Sequence, residues 1–217
     1  PGSRNKLPAH TAFRRPVAPT WAKTPRGGAC LGTNGYMSNH DYATDPRFPA
    51  PDPYAPLKDL PGFELTSEDF ENGAKLPAAQ TAAENVSPQL SWAGLPEGTR
   101  SLAVTCYDPD APTAAGFWHW AAFNIPVTTE SLPAGAGAKE DLGIDGVTAL
   151  RNDGGSRAFV GAAPPAGHGP HRYLFAVHSV DVEHLDVDAD ATPTVLGFNL
   201  YFHAIGRAIL WGWHENE

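Results

Sequence analysis

The chain has 217 residues, 41% of them hydrophobic, which suits one large domain with its own core. Its 22 Pro and 22 Gly, against only 18% charged residues, argue for a turn-rich fold and against many long surface helices. The net charge is −9 and the acids are concentrated beyond Met37, which argues against nucleic acid or an anionic membrane surface as the main partner.

Residues 1–36 differ from the rest. They carry Arg4, Lys6, Arg14, Arg15, Lys23 and Arg26 and no acid, without periodicity. Met37 is the sole methionine. The expectation is that 1–36 is a disordered or artefactual extension ahead of a native start at Met37; the alternative is a natural basic arm. Residues 37–61 follow as an extended Pro-rich tether (Pro46, Pro49, Pro51, Pro53, Pro56, Pro61), and the folded domain spans 62–217.

Within that domain the pattern reads as strands. Residues 63–66 alternate. Residues 89–92 follow a turn-like Asn85-Val86-Ser87-Pro88. Residues 101–107 set Leu102, Val104 and Cys106 against Ala103, Thr105 and Tyr107, the pattern of a half-buried strand. Another strand covers 119–125. Residues 172–182 contain the unbroken apolar run 173–177, expected of a strand buried on both faces. Near the C-terminus, Thr192-Pro193 is a helix start. Phe198, Tyr201, Phe202, Ile205, Ile209 and Leu210 then recur at three-to-four spacing, so a helix is predicted to run through Leu210, weakened by Gly206 and Gly212.

Cys106 is predicted to be a buried core thiol, and with Cys30 outside the expected domain the pair points to a reduced, cytoplasmic protein rather than a disulfide. No run approaches about 18 apolar residues, so no transmembrane segment is expected. The start lacks the continuous apolar stretch of a secretory signal.

Two clusters carry chemistry. Tyr107-Asp108-Pro109-Asp110-Ala111-Pro112 ends one strand with two carboxylates on a proline-stiffened turn, and Phe117-Trp118-His119-Trp120 opens the next. A Gly/Pro-rich loop, 160–170, leads into His171-Arg172-Tyr173, where His171 and Tyr173 share one strand face and Arg172 takes the other. Both clusters lie at strand mouths, where binding groups concentrate.

In combination these segments resemble the phosphatidylethanolamine-binding protein (Raf-kinase-inhibitor-like) family. The resemblance rests on Asp108-Pro109-Asp110-Ala111-Pro112 with His119 eleven residues on, and on Pro164-Pro165-Ala166-Gly167 before His171-Arg172-Tyr173. Asn152-Asp153-Gly154 before Phe159-Val160-Gly161 agrees. Trp118-His119-Trp120 and Gly197-Phe198-Asn199 are similar to the bacterial branch. The resemblance implies a mainly β fold, an antiparallel β-sandwich with a few peripheral helices including a C-terminal one. It implies a pocket for phosphate-like or carboxylate-like groups, with Asp108, His119 and His171 on its floor. Pro112, Phe117, Gly161, Ala163, Pro164 and Pro165 would form the walls, with Tyr173 close by and Asp110, Trp118 and Arg172 as structural neighbours. Ala163 stands where many relatives have Gly, and Phe159 where many have Tyr. Mammalian members place a C-terminal-helix Tyr at the pocket, for which no equivalent is assigned here.

Read singly, Asp108 and Asp110 are turn formers and His119 and His171 are core histidines. His168, between glycines, is expected at the surface, and His178 and His203 are expected to be structural. Three functions compete. The first is a binding module for a small phosphate- or carboxylate-bearing ligand, which could also modulate a partner protein as kinase or protease inhibitors do. The second is a hydrolase working from Asp108, His119 and His171 with or without a metal. The third is a metal site on the same residues. No Gly-x-Ser-x-Gly elbow, phosphate-cradling loop or dinucleotide fingerprint is present, so binding is favoured, with no cofactor and no metal expected. Assembly as a homodimer is left open.

Overall fold

The computed structural model describes residues 41–48 and 50–217; Cys30, Met37 and the 1–36 extension lie outside the described residues. The described chain runs β1 (Glu64–Thr66), β2 (Ala74–Lys75), β3 (Leu90–Ala93), β4 (Ser101–Asp108), β5 (Phe117–Pro126), β6 (Ser131–Leu132), β7 (Thr148–Ala149), β8 (His171–Val180), α1 (Pro193–His203) and β9 (Ala204–His214). Single-turn 3-10 helices sit at Asp41–Ala43, Ala78–Gln80 and Ala136–Ala138.

The fold is mainly β, as expected. A three-stranded sheet has the order β1-β3-β6, and a six-stranded sheet the order β2-β9-β8-β4-β5-β7. All pairings are antiparallel except β2 with β9. The main core joins Leu90, Trp92 and Leu132 of the small sheet to Leu102, Val104, Cys106, Phe175 and Val177 of the large one. Each such side chain, fully buried, contributes about 1.5–3 kcal/mol.

The outer face of the large sheet is covered too. Tyr42, Phe48 and Tyr54 pack on Leu174, Ala176 and Trp211, while Leu196 and Leu200 of α1 pack on Ala103, Ala121 and Phe123. All ten residues of β8 are therefore buried, which is why its sequence is apolar without alternation. The same cover corrects the reading of β4 as half-buried. Both of its faces are inside, and only Tyr107 is partly exposed.

The helix is shorter than its periodicity suggests. Thr192 caps it, its side chain accepting from the Val195 amide, but the chain becomes extended at Ala204 and continues as β9, paired with β8 from Ala204↔Val180 to His214↔His171. Ile205, Ile209 and Leu210 belong to this strand. Gly206 and Gly212 mark it: a Cβ at Gly206 would stand 2.6 Å from Ser179 Oγ, and one at Gly212 2.5 Å from Leu76. Such close approaches suit a packed strand rather than a surface helix. The helix buries Leu196 and Leu200 and leaves Phe198, Tyr201 and Phe202 exposed, so its aromatic face points outward. No helix among the described residues is long and apolar enough to cross a membrane.

Candidate functional site

β4 delivers Asp108 to the end of the large sheet. Pro109 stops the strand, and the carboxylate folds back so that Oδ1 accepts the Asp110 amide at 2.8 Å. Oδ2 accepts from His171 Nδ1 at 2.7 Å. Asp108 is 3% exposed, and both of its carboxylate oxygens are thus engaged by protein partners, one of them His171. The turn closes at Gly116, φ +64°, where a Cβ would stand 2.7 Å from the Asp108 carbonyl oxygen; only glycine fits.

β5 leaves that turn with Phe117 and His119 on one face and Trp118 on the other. His119 Nδ1 lies 2.8 Å from the Val160 carbonyl oxygen. A carbonyl can only accept, so Nδ1 carries the proton, and the neutral ring offers its Nε2 lone pair. The ring stands edge-on to Tyr173 at 5.1 Å. Burial holds the basicity of His119 below the ordinary histidine value, against the opposing pull of the Val160 carbonyl and Asp108. Tyr173, two residues after His171 on β8, has a buried hydroxyl; the Ala163 amide is directed toward it but outside hydrogen-bond geometry. Burial also pushes the pKa of this phenol up, so it remains a donor.

Asp108, Pro112, Phe117, His119, Gly161, Ala163, Pro164, Pro165, His171 and Tyr173, all the residues expected at the pocket, line one cavity of about 270 Å³. Ala111, Thr113 and Val160 join them. The three structural neighbours stand behind it. Asp110 and Arg172 form a buried pair, Arg172 donating from its backbone N and Nε to Oδ2 and from a terminal nitrogen to Oδ1. Trp118 faces away from the cavity, against Tyr107 at 4.5 Å between ring centroids.

Sequence reasoning missed several supports. His168 is exposed, as expected, yet its Nδ1 is 2.7 Å from His171 Nε2, giving an Asp108–His171–His168 chain at the rim. The His-x-x-His spacing was its one signal. Asn85, at φ 57°, accepts the Gly161 amide at 2.8 Å. Asn152 Nδ2 donates to the carbonyls of His119 and Ala158. Asn216 Nδ2 donates to the Pro164 carbonyl at 2.7 Å, so the chain beyond β9, not α1, braces the pocket wall. A Cβ at Gly161 would collide with the Thr81 carbonyl oxygen. Gly161→Ala is therefore expected to lower stability by about 1–3 kcal/mol and to displace the wall, seen as a lower denaturation midpoint together with weaker ligand binding.

The donor atoms do not converge as metal ligands do. Asp108 and His171 are turned to protein partners on both sides, and among the described residues no group of three His, Cys, Asp or Glu could hold a metal ion. Among the described residues, neither Thr113 nor Cys106 stands as a free nucleophile beside the histidines. The Thr113 hydroxyl donates to the Gly116 carbonyl, and burial raises the Cys106 thiol well above its ordinary pKa inside β4.

Comparison with known proteins agrees with the fold. The family model described as phosphatidylethanolamine-binding protein matches residues 66–214. YbhB of Escherichia coli K12 is 44% identical over 152 residues, which is 67% of this chain and 96% of that protein. YbcL of the same organism is 40% identical over 153 residues. The crystal structure of E. coli YbcL superposes with a TM-score of 0.67 at 39% identity, covering 71% of this chain and 99% of that one. A Chlamydia trachomatis homologue superposes with a TM-score of 0.61 at 25% identity, over 72% of this chain and 99% of that one.

Proposed function

The chain belongs to the phosphatidylethanolamine-binding protein family, and on that premise we propose that its 270 Å³ cavity binds one partly protonated oxyanion group, phosphoryl or carboxyl, carried by a small molecule or by a side chain of a partner protein. The observation that carries this reading is the pairing of free valences on the cavity floor. Tyr173 offers an O–H donor without a partner and neutral His119 an Nε2 acceptor. A hydrogen phosphate presents the matching pair, an anionic oxygen and an OH. The Pro112, Pro164 and Pro165 walls are stiff, which suits holding a group over closing on a reacting one.

Phosphate and sulfate separate this reading from simple charge attraction. Sulfate has no proton to give near neutral pH, so it needs His119 protonated. Phosphate is expected to bind at pH 7 and sulfate about tenfold more weakly. The sulfate affinity should rise as pH falls below the ordinary histidine value of about 6.5, because burial places the protonation of His119 lower. Calorimetric titration of both anions between pH 7.5 and pH 5, with His119→Ala and His171→Ala alongside, tests the reading. His119→Ala, which removes the Nε2 acceptor, is expected to weaken phosphate binding by about tenfold or more, and His171→Ala, which removes part of the cavity lining with both ring nitrogens already engaged by protein, to weaken it less; unchanged affinity in both variants overturns the site.

A further inference from the structure

A second cavity, of about 640 Å³, lies on the other face of the large sheet, between its strands, α1 and the segment around Leu57. Its walls are apolar. Leu57, Phe198 and Tyr201 line it and are 41%, 66% and 51% exposed, an unusual display of large apolar side chains. Its floor is polar. The Tyr54 and Thr105 hydroxyls, His178 Nδ1 and Arg207 Nε are all buried atoms with no hydrogen-bond partner. The Tyr54 and Thr105 hydroxyls are neighbours, but their contact falls outside hydrogen-bond geometry, and even joined they would leave a donor over.

These four groups share one spot. His178 and Arg207 are cross-strand partners in the β8–β9 pair. The Arg207 guanidinium sits 4.6 Å from the Tyr54 ring centroid, and the Tyr54 and His178 rings are 6.4 Å apart. Buried polar groups are normally satisfied, so a cluster of open ones at the base of a cavity marks a missing partner. The charge of that partner follows from the lining. Lys58 and Arg207 are there and no carboxylate is, in a protein of net charge −9. Nearby Asp52 already accepts the Tyr42 hydroxyl and the Tyr54 amide.

We propose that this cavity binds an amphipathic carboxylate. Its head would pair with Arg207 and take hydrogen bonds from the hydroxyls of Tyr54 and Thr105 and from His178 Nδ1. Its alkyl or aryl body would lie under α1 against Leu57, Phe198 and Tyr201. The volume falls within the ~300–1,000 Å³ typical of small-molecule sites. The site is separate from the oxyanion cavity and stands or falls independently of it.

Decanoate and 1-decanol, titrated into the full chain and followed by calorimetry and by the fluorescence of Trp118, which lines the cavity, provide the test. One decanoate is expected per chain, bound about tenfold or more tightly than decanol. Arg207→Met should abolish that preference, weakening decanoate while leaving decanol as it was. Gly197 lines the cavity, and a Cβ there meets nothing within 4 Å; Gly197→Leu should keep the fold and weaken both ligands. Equal affinity for the acid and the alcohol, or no saturable binding of decanoate, overturns the proposal. Loss of decanoate binding in His171→Ala with Arg207→Met silent would put the acid in the other cavity and also overturn it. A concentration-dependent dimer abolished by Phe198→Ser, without acid binding, would assign the surface to a second copy of the chain and overturn it as well.

Discussion

Replacing Arg172 with Met is expected to destabilise the protein by about 3–5 kcal/mol, the cost of stranding a buried charge. Arg172 has no exposed surface. It grips Asp110 through both carboxylate oxygens and donates to the carbonyls of Tyr42 and Ala50 at 2.8 and 2.9 Å. Its guanidinium also lies 5.2 Å from the Phe48 ring centroid. Methionine fills the volume but leaves Asp110 with a 7% exposed carboxylate facing no cation. Urea denaturation of the single variants and of Arg172→Met with Asp110→Leu measures this. The double variant should lose clearly less than the sum of the two, since it removes both charges. Arg172→Lys should behave more like Met than like Arg, because an ammonium cannot fork between a carboxylate and two carbonyls. A loss below about 1 kcal/mol in Arg172→Met would mean that water reaches Asp110 and that the pair is in effect a surface one.

The second large effect is acid lability from His178. This side chain is buried, and burial followed by repulsion from Arg207 lowers its pKa to about 3. The unfolded chain takes up a proton near the ordinary value of about 6.5, so this contribution to stability is complete above that pH and is lost as pH falls toward 3. Between pH 7 and pH 4 the loss is about 3 kcal/mol. The ionisable groups beside the imidazole are Arg207, its cross-strand partner, and Tyr54, whose ring centroid is 6.4 Å away, neither of which titrates in that interval. His178→Gln should therefore narrow the stability difference between pH 7 and pH 4 by about that amount, measured from urea midpoints at the two pH values. An undiminished difference would assign the acid lability to the carboxylates.

What could be read in advance follows a physical division. The grouping of the residues that line the 270 Å³ cavity was legible because its parts are local: a proline-braced carboxylate at a strand end, a histidine opening the returning strand, and a histidine–tyrosine pair two residues apart. The strands flanking it followed from alternation or from an unbroken apolar run. The end of α1 was not legible, because Ile205, Ile209 and Leu210 satisfy helical spacing while also fitting a strand buried on both faces; only Gly206 and Gly212 argued for the latter. The burial of both faces of β4 depends on Tyr54 and α1, which are remote in sequence. His168 was hidden by its flanking glycines. The second cavity was invisible for the same reason as the cover on β4: Tyr54, Thr105, His178 and Arg207 come from four separate segments and meet only in the fold.

The order of strands in the large sheet carries one more consequence. Its interior positions hold β9, β8, β4 and β5, of 11, 10, 8 and 10 residues, while its two borders are the two-residue β2 and β7. The small sheet is bordered by β1 and β6, of three and two residues. Among the described residues, then, β8 and β4 have long strand neighbours on both sides, whereas β2 and β7 pair with only two residues each of β9 and β5 and are themselves too short to template another chain. Strongly apolar β8, the segment most prone to cross-β stacking if released, sits at the centre of the sheet and is shielded from it. Cross-β stacking through β8 would first require unfolding this interior.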